Sequence, residues 1–290
     1  MAEPLVEIRN LRVAFASATG VTPAVRGLSL TLGREKLGIV GESGSGKSVT
    51  GRALMRLLPG SADVQADALR FGRTDILKAP EREMRRLRGG RIGLILQDPK
   101  YSLNPVITIG RQITEALRQH KRVGRGEARD RALALLESVR IRDPKRVLES
   151  YPHEVSGGMG QRVMIAMMLA PEPDMLIADE PTSALDSSVQ AEILRLIGDL
   201  VDSRGMALML ISHDLPLVSH FCDRILVMYA GQVMEELKAS ELHKAEHPYT
   251  RGLLACLPSL ARPRGRLPVL TRDPVWLEPQ APVHHGGAAS

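Results

Sequence analysis

Aromatic side chains are scarce in this chain: three Phe, four Tyr and one Trp make up 3% of 290 residues. A core must therefore rest on Leu, Ile, Val, Met and Ala. Cysteine is scarcer still, with Cys222 and Cys256 far apart and no ligand spacing around either. That pattern gives a disulfide little support and fits free thiols in a reducing compartment. No apolar run approaches the roughly 18 residues that cross a bilayer. The first residues, MAEPLVEIRN, are acidic and mixed, unlike a secretory leader. The expectation is a cytosolic protein, found at a membrane only if another component holds it there. No internal repeat is found. No charge dominates either: a net charge of +6 suits an anionic ligand, a membrane surface or nucleic acid, and selects none of them.

What is present is ordinary for a globular protein: 43% hydrophobic and 25% charged residues, in a length that suits one large domain or one domain with an appendage. Short β-branched or leucine-rich runs alternate with helical patterns, which favours an α/β fold. LVEIRNLRVAF and AVRGLSLTL predict early antiparallel strands. KLGIV predicts a strand that runs into a glycine-rich loop and a helix over residues 47–58. Ala128, Ala132, Leu135, Leu136 and Val139 recur at helical spacing, and residues 108–169 read as mainly helical, an insert in a sheet-based domain. MLIAD, ALMLIS and RILVMY predict buried strands. A helix over 187–201 lies between the first two, with Val189, Ile193, Leu196 and Leu200 on one face. Beyond Glu236 the texture changes. HPYTRGLLACL gives way to a stretch rich in Pro, Arg and Gly, and the end, APVHHGGAAS, is expected to be disordered.

Residues 41–48, GESGSGKS, fit G-x-x-x-x-G-K-[ST] between an apolar strand and a helix. A chance match arises in about one chain of this length in a hundred. Gly41, Gly44 and Gly46 let the backbone amides of Glu42, Ser43, Ser45 and Val49 wrap phosphates; Lys47 supplies a point charge to the β/γ oxygens and Ser48 a hydroxyl to Mg²⁺. MLIADE ends an apolar strand on Asp179 and Glu180. Asp179 is placed to hold Mg²⁺ through water, and Glu180 to polarise the attacking water. His213, after the next strand, is a capping residue or a contact to the γ-phosphate or the water. Gln97, in LILQDP, is an exposed glutamine or a metal and water sensor. Phe15, the one aromatic ahead of residue 41, either stacks on adenine or fills a core between the early strands.

A second phosphate seat follows. In YPHEVSGGMGQRVMIAMMLA, residues 151–170, Ser156-Gly157-Gly158 precedes an almost wholly apolar helix, and free amides at a helix N-terminus suit a phosphate. Two cradles with one lysine are unusual in one ATPase. Taken in order, GESGSGKS, LQDP, VSGGM, MLIADEPTSALD and ISHD resemble the ATP-binding subunit of ABC transporters, across residues 1 to about 257. That resemblance implies a P-loop NTPase (RecA-like) core with an antiparallel β subdomain and a helical subdomain. The expected ATP-binding domain spans residues 1–237, with the helical part over about 100–162 and a C-terminal extension over 238–290. It also implies a head-to-tail pair in which Ser156, Gly157, Gly158 and Met159 serve the partner's ATP, with Ser183 and Asp186 at the interface. Val155 and Met159 stand where the family usually has Leu and Gln; both flank the Ser-Gly-Gly that meets phosphate. Asp186 also suits a helix N-cap.

SGGMGQRVMIAM, ADEPTSALD, VMYAGQVME, QDPKYSLNP and above all HPYTRGLLACLPSL resemble the dipeptide, oligopeptide and nickel importer branch. The partners implied are a second ABC ATPase, two transmembrane permeases and an extracytoplasmic solute-binding protein, at the cytoplasmic face of the inner membrane. Cofactors are ATP and Mg²⁺. No cysteine follows Cys256, so no iron–sulfur cluster is expected. A peptide is the leading solute, with nickel, an opine or a metallophore as alternatives. The basic run REMRRLRGGR, residues 82–91, lacks interleaved aromatics, which favours a solvated or permease-facing surface over nucleic acid. Two rivals are a soluble ABC ATPase acting on nucleic acid or ribosomes and a regulator that barely hydrolyses. The single cassette opposes the first. Lys47, Asp179, Glu180 and His213 oppose the second.

Overall fold

The computed structural model describes residues 3–17, 20–97, 102–183, 185–257, 270 and 272–278. By internal packing the chain forms two units, one of residues 1–77 and 211–290, the other of residues 78–210.

The first unit opens with β1 (Val6–Ser17) and β2 (Gly20–Leu32), paired antiparallel as their patterns predict. Burial along β1 switches parity: Val6 and Ile8 are buried, then Leu11 and Val13. A regular strand would turn one of those pairs outward. Asn10, at φ 50, supplies the extra residue of a bulge, and Gly27, at φ 94, supplies its counterpart on β2. The backbone amide of Asn10 then donates to Ser29 Oγ at 2.9 Å. The bulge lets one strand serve two neighbours, β4 (Ala62–Gln65) along Arg12–Phe15 and β5 (Ala68–Phe71) along Val6–Arg9, with β6 (Thr74–Asp75) beyond β5. Between these elements run β3 (Lys36–Gly41) and α1 (Lys47–Leu54).

The second unit begins with α2 (Glu81–Leu87), which occupies much of the basic run. Met84 and Leu87 are buried while Arg82, Arg85 and Arg86 are exposed, and Arg88 pairs with Glu81 at 2.7 Å. Much of the run thus forms an amphipathic helix of about two turns with an exposed basic face. Then come β7 (Ile92–Ile95), α3 (Ile109–His120), α4 (Arg125–Ser138), α5 (Pro144–Glu149) and α6 (Gly157–Leu169). On α4, Ala128, Ala132, Leu135 and Leu136 are all buried, and so is Val139 just beyond it. Next, β8 (Met175–Asp179) lies parallel to β7. The following helix, α7 (Ser187–Arg204), buries Ile193, Leu196, Ile197 and Val201. At about 1.5–3 kcal/mol for each fully buried side chain, that face outweighs the few tenths intrinsic propensity offers, so packing fixes the helix.

The chain re-enters the first unit along β9 (Ala207–Ser212) and continues through α8 (Leu215–Phe221), β10 (Arg224–Tyr229), β11 (Gln232–Lys238) and α9 (Pro248–Ala255). There β10 is parallel to β3 and antiparallel to β11. Gly38 of β3 admits α8 closely: a Cβ there would lie 2.1 Å from Val218 Cγ1. Of the expected permease-facing segment QDPKYSLNP, residues 98–101 lie outside the described residues, as do Ala184 and the tail stretches 258–269, 271 and 279–290.

Candidate functional site

In the first unit, β3 is buried along Leu37–Gly41 and delivers the chain to the glycine-rich loop at a fixed point. Gly41, Gly44 and Gly46 adopt φ of 154°, 79° and 96°, a region that disfavours side chains. Two of them also lack space: a Cβ at Gly41 would lie 2.1 Å from the Met228 carbonyl oxygen, and one at Gly46 would lie 2.5 Å from that of Ala24. A Cβ at Gly44 would meet nothing within 4 Å among the described residues. The loop is therefore pressed flat on its inner side and open on its outer side, the shape required for amides to meet a polyanion. Ser45 donates its amide to the Glu42 carbonyl at 3.2 Å, and the Ser45 carbonyl accepts from Gly231 at 3.1 Å. Lys47 is buried, its ammonium donating to the carbonyls of Gly41 and Glu42 at 2.8 Å each. Ser48 and Val49 follow in the first turn of α1, whose N-cap is Gly46.

His213, in the same unit, is exposed in the bend after β9. The neighbouring Asp214, not His213, is the cap of α8, accepting from Leu217 N at 2.9 Å. Phe15 is half-buried in β1, opposite Thr22 and Ala62. Both cysteines are free; Cys222 is buried, and burial pushes its thiol up to about 12.

In the second unit, β8 is buried throughout and ends on Asp179, 5% exposed. Glu180 follows at φ 48, a left-handed conformation that non-glycine residues adopt at a cost. Ser183 holds it there, donating both its amide (3.3 Å) and its hydroxyl (3.1 Å) to the Glu180 carbonyl. Ser156 caps α6, its Oγ accepting from Met159 N at 3.4 Å. Ser156 and Gly157 are exposed, and Gly158 and Met159 half-buried. A Cβ on Gly158 would press on Val189 Cγ1 at 3.2 Å, whereas among the described residues one on Gly157 would meet only Leu185 Cδ2 at 4.0 Å. The amide end of α6 thus sits beside the start of α7 and faces outward. Asp186 caps α7, accepting from Val189 N at 3.1 Å and from Ser188 Oγ at 2.7 Å. Gln97 is exposed after β7.

Two polar residues that pattern reading passed over brace this region. Gln161 is fully buried inside α6 and donates Nε2 to the Pro181 carbonyl at 2.5 Å, directly after Glu180. Gln190 donates to the Thr182 carbonyl at 2.9 Å. One glutamine, beside Arg162 in a helix that is apolar at its remaining positions, was the available signal for Gln161.

A family model described as ABC transporter matches residues 25–183. A probable peptide ABC transporter ATP-binding protein of Sinorhizobium fredii is 50% identical over 271 residues, covering 92% of this chain and 81% of that protein. A probable D,D-dipeptide transport ATP-binding protein of Escherichia coli is 45% identical over 273 residues, covering 93% and 83%. Among solved structures, a dimeric post-hydrolysis state of an ATP-binding cassette bound to ADP and Pi is similar with a TM-score of 0.69 and 28% identity, covering 81% of this chain and 98% of that one. The chain is an α/β P-loop ATPase and belongs to the ABC transporter ATP-binding family.

Proposed function

We propose that this chain is the ATP-hydrolysing subunit of an importer for di- or oligopeptides. Its partners would be a second ABC ATPase, two membrane permeases and an extracytoplasmic solute-binding protein at the cytoplasmic face of the inner membrane. One observation carries the solute class: likeness to relatives named for peptide and dipeptide transport runs through more than nine-tenths of the chain.

In this reading the amides of residues 41–49 and the Lys47 ammonium hold phosphate oxygens. Glu180 polarises the attacking water, while Gln97 and His213 contact the water or the γ-phosphate, and Phe15 meets the base. The Ser156, Gly157 and Gly158 amides stabilise γ-phosphate charge on the nucleotide held by the other ATPase, and Ser183 and Asp186 lie at that interface. Ser48, Gln97 and Asp179 offer the oxygen donors a hard divalent cation requires. Mg²⁺ held by them would supply charge neutralisation to the β/γ phosphates. Among the described residues no helix is long and apolar enough to cross a membrane, so attachment is assigned to the permeases.

The test is a tagged pull-down from gently solubilised membranes, followed by reconstitution. The expected result is two multi-span proteins and a second ATPase, with phosphate release stimulated by a peptide-loaded binding protein. Recovery with ribosomal proteins or nucleic acid would overturn the proposal.

A further inference from the structure

The mechanism above leaves residues 270 and 272–278 unused, yet Arg272 among them reaches the glycine-rich loop. Leu270 fills the notch at Gly252 on α9, where a Cβ would lie 2.1 Å from its Cδ1. The 3₁₀ turn Pro274–Leu277 then brings in Trp276, 6% exposed. Its ring meets Tyr229 edge-on at 6.0 Å, Tyr249 at 5.7 Å and His247 at 6.0 Å. Side-chain donors fasten the backbone of the same turn: Gln232 Nε2 donates to the Trp276 carbonyl at 3.3 Å, and Arg26 Nη2 to the Leu277 carbonyl at 2.6 Å. Arg26 and Gln232 flank the Ala230–Gly231 turn whose Gly231 amide supports Ser45.

So anchored, the segment places Arg272 Nη2 3.1 Å from Glu42 Oε2. Glu42 is the one acidic residue of residues 41–48, and its carbonyl holds both the Lys47 ammonium and the Ser45 amide. A bare carboxylate there would oppose the triphosphate and compete for Lys47.

We propose that Arg272, anchored by Trp276, is a positioning residue of the nucleotide site that holds and neutralises Glu42 so that the loop meets a polyanion without a competing negative charge. This rests on residues 41–48 being the phosphate cradle. Glu42 and Arg272 are 32% and 61% exposed, so water and salt screen the pair and limit its effect to a few-fold.

The experiment is ATP affinity by calorimetry on the full chain, in low and high salt, for Arg272→Gln, Arg272→Lys, Glu42→Gln and the Arg272→Gln/Glu42→Gln double variant. Arg272→Gln is expected to weaken binding about threefold in low salt and less in high salt. Arg272→Lys should keep most of the affinity, and Arg272→Gln should have no effect once Glu42 is Gln. Trp276 is the chain's only tryptophan. Its emission should stay that of a buried ring in Arg272→Gln, showing that the segment is still docked. Wild-type affinity in Arg272→Gln, an equal loss in the Glu42→Gln background, or emission shifted toward that of an exposed ring would each overturn the proposal. A wild-type chain that binds no ATP would instead remove the phosphate cradle itself, and Arg272's role with it.

Discussion

Glu180 is where backbone strain and the proposed chemistry coincide. Its left-handed φ of 48 persists because Ser183 donates twice to its carbonyl and Gln161 holds the next carbonyl along. Glu180→Gln keeps size and shape but removes the charge that, on the proposed reading, polarises water. ATP affinity is expected to stay within about twofold, while phosphate release falls by about 10²–10⁴-fold. Nucleotide trapping measured beside steady-state phosphate release checks this, and unchanged release would take Glu180 out of the role. At this scale the sequence was informative about placement: Lys47 after the glycines at the start of α1, and Asp179 and Glu180 at the end of an apolar strand, stand where the motifs put them. It was silent on Gln161, because a buried glutamine's value lies in the carbonyl opposite, 20 residues away.

Helix caps act one level up. The Asp186 carboxyl is held below its ordinary value of 3.8, first by the Ser188 hydroxyl and then by the Val189 amide. A depressed folded value means that the cap's contribution is fully present above about pH 4 and is lost as pH falls through that lower value. Amide exchange of the first turn of α7, corrected for intrinsic rate, should therefore show steady protection from neutral pH to about 5 and a decline below 4. Asp186→Asn should remove the pH dependence, and Asp186→Ala the protection itself. Elements with strong periods, α4 and α7 above all, were legible in sequence. The end of α1 was not: a helix to residue 58 was expected, but it stops at Leu54. Arg56 turns to φ 50 and Leu57 N closes on the Arg52 carbonyl at 2.9 Å, ahead of Pro59. The paired bulges at Asn10 and Gly27 were equally hidden, since they are fixed by four strands together and not by any one of them.

At the scale of the whole molecule, the amide end of α6 is exposed, and on the proposed reading it is a second phosphate seat for a partner's nucleotide, which would need no lysine of its own. Among the described residues a Cβ on Gly157 would meet little, while one on Gly158 would press against Val189, so the two glycines serve different ends. Gly158 permits packing within the unit, and Gly157 leaves a surface open to another molecule. A Gly157→Asp change separates intrachain stability from function. An acidic side chain at the first helical position favours the helix dipole, so stability should hold within about 0.5 kcal/mol. The same charge would face a phosphate brought by a partner. ATP affinity of the isolated chain is expected to be unchanged, while turnover of the paired ATPases falls by about 10²-fold, the usual loss for removing one oxyanion donor. Calorimetry on the single chain and phosphate release from the assembled transporter read the two quantities apart. A weakened affinity in the single chain would mean that Ser156 to Gly158 serve the chain's own nucleotide. Full turnover in the assembly would mean that they serve neither.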